Sequence, residues 1–295
     1  MGGRNSWREP ILDGSMRLPL VILLTAGPLL AHPGVGIVRD AKGNIFYTDH
    51  KQVWRLAPDG TRSLAVPQVH THELCLDAAG NLYGEHLWYE GERTDRWGHR
   101  VWRLGTDGSL GDVIHAREGF LKDYSFVRDG AGHHYVAQRG ATTTIQKRLP
   151  DGRLAPHCAG PFADLRWMAA TAAGVLFVVD ASDLKRVEPD GTVRTLAAGL
   201  QPRRAGNLWR YDRHALMGLW TDGPGNVYVA ATADREVRRV DPRGRVTVAA
   251  TSPFPWSPSG GLVAPDGALW LLECSTFNAV RVRRIGTDGR ERVFP

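Results

Sequence analysis

The chain has 295 residues, 42% of them hydrophobic, with 34 glycines and 18 prolines, a turn-dense globular composition that excludes a fibrous or disordered protein. Its formal net charge of +6 comes from scattered cations such as Arg235, Arg238, Arg239, Arg243 and Arg245. They form neither the clustered stripe nor the aromatic interleaving that nucleic-acid binding needs, so no nucleic-acid partner is expected.

Met1 to Ser15 is mixed and polar. Met16-Arg17 then precedes the apolar run Leu18 to Ala31, interrupted by Pro28, the layout of a secretory signal. That run is shorter than the ~20 residues a membrane span needs. Cleavage is therefore expected near Ala31, which predicts a secreted or periplasmic protein with no membrane contact in its mature form. An uncleaved anchor is the competing reading, Leu29 being bulkier than the small residue favoured at that place, and Met16 is an alternative start. The expected organisation is a 1–31 extension with signal peptide and a single domain over 32–295. A mature N-terminus at His32 would pair an α-amine with an imidazole suited to copper, although His32-Pro33-Gly34 also reads as an ordinary lead-in to a strand.

From Gly36 onward a module repeats. Gly43-Asn44 lies between the apolar runs Gly36-Ile37-Val38 and Ile45-Phe46-Tyr47, and Asp59-Gly60 follows Val53-Trp54, so each reads as a tight turn joining two strands. The first glycine returns at Gly80, Gly132, Gly174, Gly225 and Gly267, and the second turn returns with an aspartate at Asp107, Asp151, Asp190, Asp241 and Asp288. Six units of four strands at a period near ~40 residues predict propeller blades, none of which buries both faces alone. The predicted fold is all-β, a six-bladed β-propeller of four-stranded antiparallel blades. Asp40, Asp77, Asp129 and Asp222, three residues before the turn glycine, are expected to cap backbone N–H groups.

The cysteines Cys75, Cys158 and Cys274 are odd in number. At most one disulfide can form. Cys75, between Leu74 and Leu76, is expected to be a buried thiol.

The pattern apolar-Gly-Ile-x-x-Asp-x-x-Gly-Asn-apolar-Tyr-x-x-Asp, carried here by Gly36 to Asp49, Leu74 to Tyr83 and Gly218 to Tyr228, resembles six-bladed propellers of the NHL-repeat type and the gluconolactonase (senescence-marker-like) superfamily. Thr171 and Ala264 replace the aspartate in two units. The resemblance implies a fold that serves lactonases, lyases and adhesive domains alike. In gluconolactonase-like relatives acidic and amide side chains hold a divalent ion in the channel. In lyase relatives histidines hold the metal, and this chain offers histidines.

A meander sorts its loops. The Gly-Asn and Asp-Gly turns fall on one rim, and the B–C loops and D–A crossovers on the other. Only His133 and His134 of the 11 histidines belong to the turn rim. Val69-His70-Thr71-His72-Glu73 leads into the inner strand of the second unit, and residues two apart on a strand point the same way, so His70 and His72 converge while Glu73 points away. His86 counts into the column of Asp49, Asp180 and Glu273. His70, His72 and His86 are the candidate ligands for a divalent metal, Zn²⁺ or Ca²⁺, with Asp49, Asp180 and Glu273 as ligand or general base. Against this stands the reading in which the histidines hydrogen-bond loop carbonyls and the carboxylates accept backbone N–H groups.

Two insertions share that rim, His86 to His99 and Leu200 to His214. Their Trp88, Tyr89, Trp97, Trp209 and Tyr211 suit stacking on a ligand, or packing the loops down. No Ser/His/Asp elbow, phosphate loop or paired redox cysteines appear. The sequence thus predicts a metal-dependent hydrolase or lyase, lactonase-like, acting on a small polar molecule at the channel mouth. The alternative is a non-catalytic propeller that binds a glycan or protein through the crossover rim. A monomer is expected in either case.

Overall fold

The computed structural model describes residues 34–121, 124–201 and 214–295, all within one compact unit, Ala31–Pro295. Six antiparallel sheets follow one another along the chain. The first holds β1 (Ile37–Arg39), β2 (Ile45–Thr48), β3 (Val53–Leu56) and β4 (Arg62–Val66). The second holds β5 (Leu74–Leu76), β6 (Leu82–Tyr89), β7 (Trp97–Leu104) and β8 (Leu110–Glu118). The third has β9 (His134–Gln138), β10 (Thr144–Arg148) and β11 (Leu154–Cys158), its inner strand reduced to the bridge Arg128 to His134.

The fourth comprises β12 (Leu165–Ala170), β13 (Leu176–Asp180), β14 (Asp183–Val187) and β15 (Val193–Ala197). The fifth comprises β16 (Met217–Thr221), β17 (Val227–Ala231), β18 (Glu236–Val240) and β19 (Val246–Thr251). The sixth comprises β20 (Trp256–Val263), β21 (Leu269–Ser275), β22 (Val280–Ile285) and β23 (Glu291–Phe294). The expected propeller is present, with one blade of three strands instead of four.

The turn chemistry explains why the module repeats. Asp40 accepts the N–H of Asn44 at 2.8 Å and its side-chain amide at 2.7 Å. Asp77 with Asn81 and Asp222 with Asn226 do the same. At Asp129 the imidazole of His133 replaces the amide at 2.8 Å, so this histidine is a turn-former. Gly43 has φ +87°, the left-handed region in which glycine carries no Cβ penalty.

Five seams between neighbouring blades hold a buried apolar cluster. The first and sixth blades meet through Ile37, Tyr47, Leu272 and Phe294. Ser259 Oγ donates to the Gly34 carbonyl at 2.7 Å and Tyr47 donates to the Pro295 carbonyl at 3.2 Å. β23 comes from the same stretch of chain as the rest of its blade, so the ring closes without an exchanged strand. Among the described residues the seam between the second and third blades has no such cluster. Arg128 lies there with its guanidinium 4.9 Å from the Tyr83 ring and hydrogen-bonded to Tyr124 at 2.6 Å.

The inner strands enclose a central cavity of about 590 Å³ walled by Val35 to Arg39, Glu73, Phe126 to Arg128, Trp167 to Ala170, Trp220 and Gly261 to Val263. The three cysteines are free. Burial pushes the Cys75 thiol up to about 12, a core thiol with little nucleophilic character.

Candidate functional site

At the end of β2, Thr48 donates its hydroxyl to the Thr71 carbonyl at 2.7 Å and accepts the His50 N–H at 3.0 Å. Thr71 in turn donates to the Glu85 carbonyl, which also accepts the buried Trp102 indole N–H at 2.9 Å. These bonds fasten the B–C loop of the first blade to the crossover that leads into β5. The consequence is that a histidine from each side meets the other. His50, held at φ 69°, lies with its ring centroid 5.7 Å from His70 and 5.3 Å from His72, and the latter two are 4.7 Å apart. The His70 and His72 Nε2 atoms are 3.2 Å from each other.

Glu85 organises the cluster from beneath. Its Oε1 accepts the backbone N–H groups of His72 and Glu73, the latter at 3.1 Å, and faces His72 Nδ1 at 3.5 Å. Glu85 is only 5% exposed, yet its Oε2 meets no protein partner. The same is true of the buried Nε2 atoms of His50 and His99. A buried polar atom without a partner costs roughly 1–3 kcal/mol, unless water, an ion or a ligand meets it. Three such atoms in the first and second blades therefore leave hydrogen-bonding capacity for water, an ion or a ligand. Burial, then the neighbouring His72 and His70, lowers His50 to about 4, so its imidazole is neutral across the physiological range.

Of the residues singled out in the sequence, His70 and His72 converge. His86 does not join them through its ring face: its Nδ1 accepts the His70 N–H at 2.9 Å, which leaves the proton of the neutral ring on Nε2. Counting from the turn glycine aligns His86 with Asp49, Asp180 and Glu273, but the carboxylate that collects N–H groups at the mouth end of its strand is Glu85. Sequence reasoning missed Glu85 and His50 as members of the cluster.

The three aligned carboxylates are taken up by neighbouring loops and strands rather than by the histidine cluster. Asp49 accepts the Lys51 and Gln52 N–H groups and the Trp54 indole, at 2.9, 2.9 and 2.8 Å. Asp180 accepts the Ala163 and Asp164 N–H groups and pairs with Lys185 at 2.6 Å. Burial alone would raise its pKa, but these partners outweigh burial and hold it below the ordinary value. Glu273, fully buried, takes the Ser252 hydroxyl at 2.6 Å, Arg281 at 2.6 Å and Arg283 at 3.0 Å.

Trp88 is half-buried against Gly98, and Trp97 meets Phe120 with centroids 4.3 Å apart. Trp209 and Tyr211 lie outside the described residues.

Among the described residues no group of three or more His, Cys, Asp or Glu side chains is arranged ready to hold a metal ion. Two donors of the histidine cluster, His70 and His72, match such an ion in kind and spacing. Tetrahedral Zn²⁺ with bonds of ~2.0–2.1 Å to imidazole separates its nitrogens by roughly 3.3 Å, close to the 3.2 Å between His70 and His72. Imidazole donors suit Zn²⁺ and similar ions, whereas Ca²⁺ takes oxygens. The donors here are nitrogens.

The molecule is a six-bladed β-propeller with an imidazole cluster between its first and second blades. No family model matches the sequence, and no curated protein matches it. Solved structures with the same fold include virginiamycin B lyase from Staphylococcus aureus, 12% identical over 90% of this chain and 84% of that one with a TM-score of 0.51. A putative gluconolactonase is 17% identical over 80% and 83%, with a TM-score of 0.55. The calcium-binding protein regucalcin of Agrobacterium tumefaciens is 13% identical over 82% of each chain, at 0.52. At these identities the likeness is one of fold.

Proposed function

We propose that the chain is a lactonase-like hydrolase or a lyase that acts on a small polar molecule at the mouth between its first and second blades, using His50, His70 and His72. The observation that carries this reading is the meeting of three imidazoles over a buried carboxylate, Glu85, whose second oxygen has no protein partner.

His70 and His72 would hold a nitrogen-preferring divalent ion such as Zn²⁺, which supplies Lewis-acid polarisation of a carbonyl and a more acidic bound water. Glu85 fixes the His72 ring by facing its Nδ1, an arrangement that raises the basicity of the opposite nitrogen. Neutral His50 offers a lone pair or accepts a proton. The same reading makes the mature chain a secreted or periplasmic monomer, supported by the apolar run Leu18 to Ala31; sequencing of the mature N-terminus checks it.

The test is a metal titration of the purified chain, with Zn²⁺ and Ca²⁺ compared by calorimetry and hydrolysis followed on a panel of small lactones and esters. Wild type is expected to bind one Zn²⁺ in preference to Ca²⁺ and to turn over at least one lactone. His70→Ala/His72→Ala is expected to lose Zn²⁺ affinity by ~100-fold or more. Equal metal binding and equal turnover in the double variant would remove the proposal.

A further inference from the structure

The exposed large apolar side chains divide by type. The aliphatic ones lie on the outermost strands β4, β8, β11, β19 and β23, whereas the aromatic ones, Tyr89, Phe120, Phe254 and Phe277, all stand on the mouth rim, 56%, 66%, 72% and 81% exposed. Isolated surface aliphatics need no explanation. Four exposed aromatic rings on one rim do.

One of the four lies against a histidine of the second blade, His99. Phe120 packs edge-on against Trp97 at 4.3 Å and lies 6.3 Å from His99. His99 Nδ1 accepts the Leu121 N–H at 3.2 Å, which fixes the ring under Phe120. Across the sheet His99 pairs with Leu87, whose N–H donates to the His70 carbonyl at 3.1 Å. An aromatic wall thus stands beside the strand that bonds the His70 backbone. The charges beside that wall are spent on one another: Arg96 pairs with Glu90 and with Glu118, both at 3.3 Å. The flat face of Phe120 suits an apolar ring, and a phenylalanine ring has no hydrogen bond to give a sugar hydroxyl.

Resting on the function proposed above, we propose that Phe120 and Trp97 form the specificity wall of the mouth, taking the aromatic or similarly flat apolar body of a substrate whose reactive polar group lies at His70 and His72. The substrate class is then an aryl-fused or aryl-bearing lactone or ester, in preference to a sugar lactone.

Dihydrocoumarin and glucono-δ-lactone are the paired substrates for the test. Their non-hydrolysable counterparts, 2-tetralone and 1,5-anhydroglucitol, are titrated by calorimetry. Wild type is expected to favour dihydrocoumarin at least ~10-fold in kcat/KM and to bind 2-tetralone but not the sugar analogue. Phe120→Ala and Trp97→Ala are expected to weaken 2-tetralone binding ~10-fold and to raise KM for dihydrocoumarin alone. If neither substrate turns over but 2-tetralone binds and Phe120→Ala weakens it, the wall stands and the hydrolase reading falls. Absent or unaltered 2-tetralone binding, or equal losses for both substrates, overturns the wall.

Discussion

Glu273 in the sixth blade and Glu85 in the second are both buried carboxylates near the mouth ends of their strands, and they have opposite surroundings. Glu273 uses both oxygens, one on Ser252 and Arg283 and the other on Arg281. Glu85 uses one oxygen on two backbone N–H groups and the face of His72, and its other oxygen is buried without a protein partner. A carboxylate compensated on every side is scaffold. One compensated on a single side leaves an oxygen for something that arrives, and the proposed site rests on that difference.

The largest effect should come from breaking the scaffold member. Glu273→Ala leaves Arg281 without its anion and Arg283 with Glu291 alone as its anion, at 3.0 Å, with an expected loss of ~3–5 kcal/mol in urea unfolding and little change in metal affinity per folded molecule. A loss below ~1 kcal/mol would end the contrast.

Glu85→Gln should divide the other way. It keeps the shape and forfeits charge-assisted bonds, so ~1–2 kcal/mol of stability is expected to go. Zn²⁺ affinity should fall ~10-fold to ~100-fold, as for other groups that orient a ligating imidazole, read by calorimetry on the folded variant.

The smallest effects lie in the pH profile. The unfolded chain protonates His50 near its ordinary 6.5, while the folded chain resists until about 4, so stability should fall as pH drops through that window. Glu73 on the channel wall acts oppositely. Burial, then the Glu85 charge, raises it from 4.5 to about 7, so its share of stability falls as pH rises across that range. His50→Asn should therefore stabilise the protein at pH 5 relative to pH 7, and Glu73→Gln should do so at pH 7 relative to pH 5. Urea midpoints between pH 4 and 8 read both; His134, also lowered to about 4, keeps part of the acid slope in the first variant.

The fold was legible because its determinants are local. An aspartate, a left-handed glycine and an asparagine within five residues close three of the inner turns, and the glycine, which recurs in all six, counts the blades. The site was legible only where it is also local, as in His70 and His72 two apart on one strand approach. His50 arrives from a neighbouring blade, a contact set by ring geometry that no spacing encodes. Glu85 stands one residue away from the aligned column, so counting selected His86 in its place. Phe120 carries no sequence signal at all, since an exposed phenylalanine after a strand looks like any other.

The closure of the ring without an exchanged strand bears on how the molecule assembles. Every sheet is a continuous piece of chain, so no strand has to wait for the far terminus to be synthesised before its hairpins can pair, and sequence-local contacts of this kind form early. Joining first blade to last then becomes one more face-to-face docking of apolar surfaces, with no threading step to slow it.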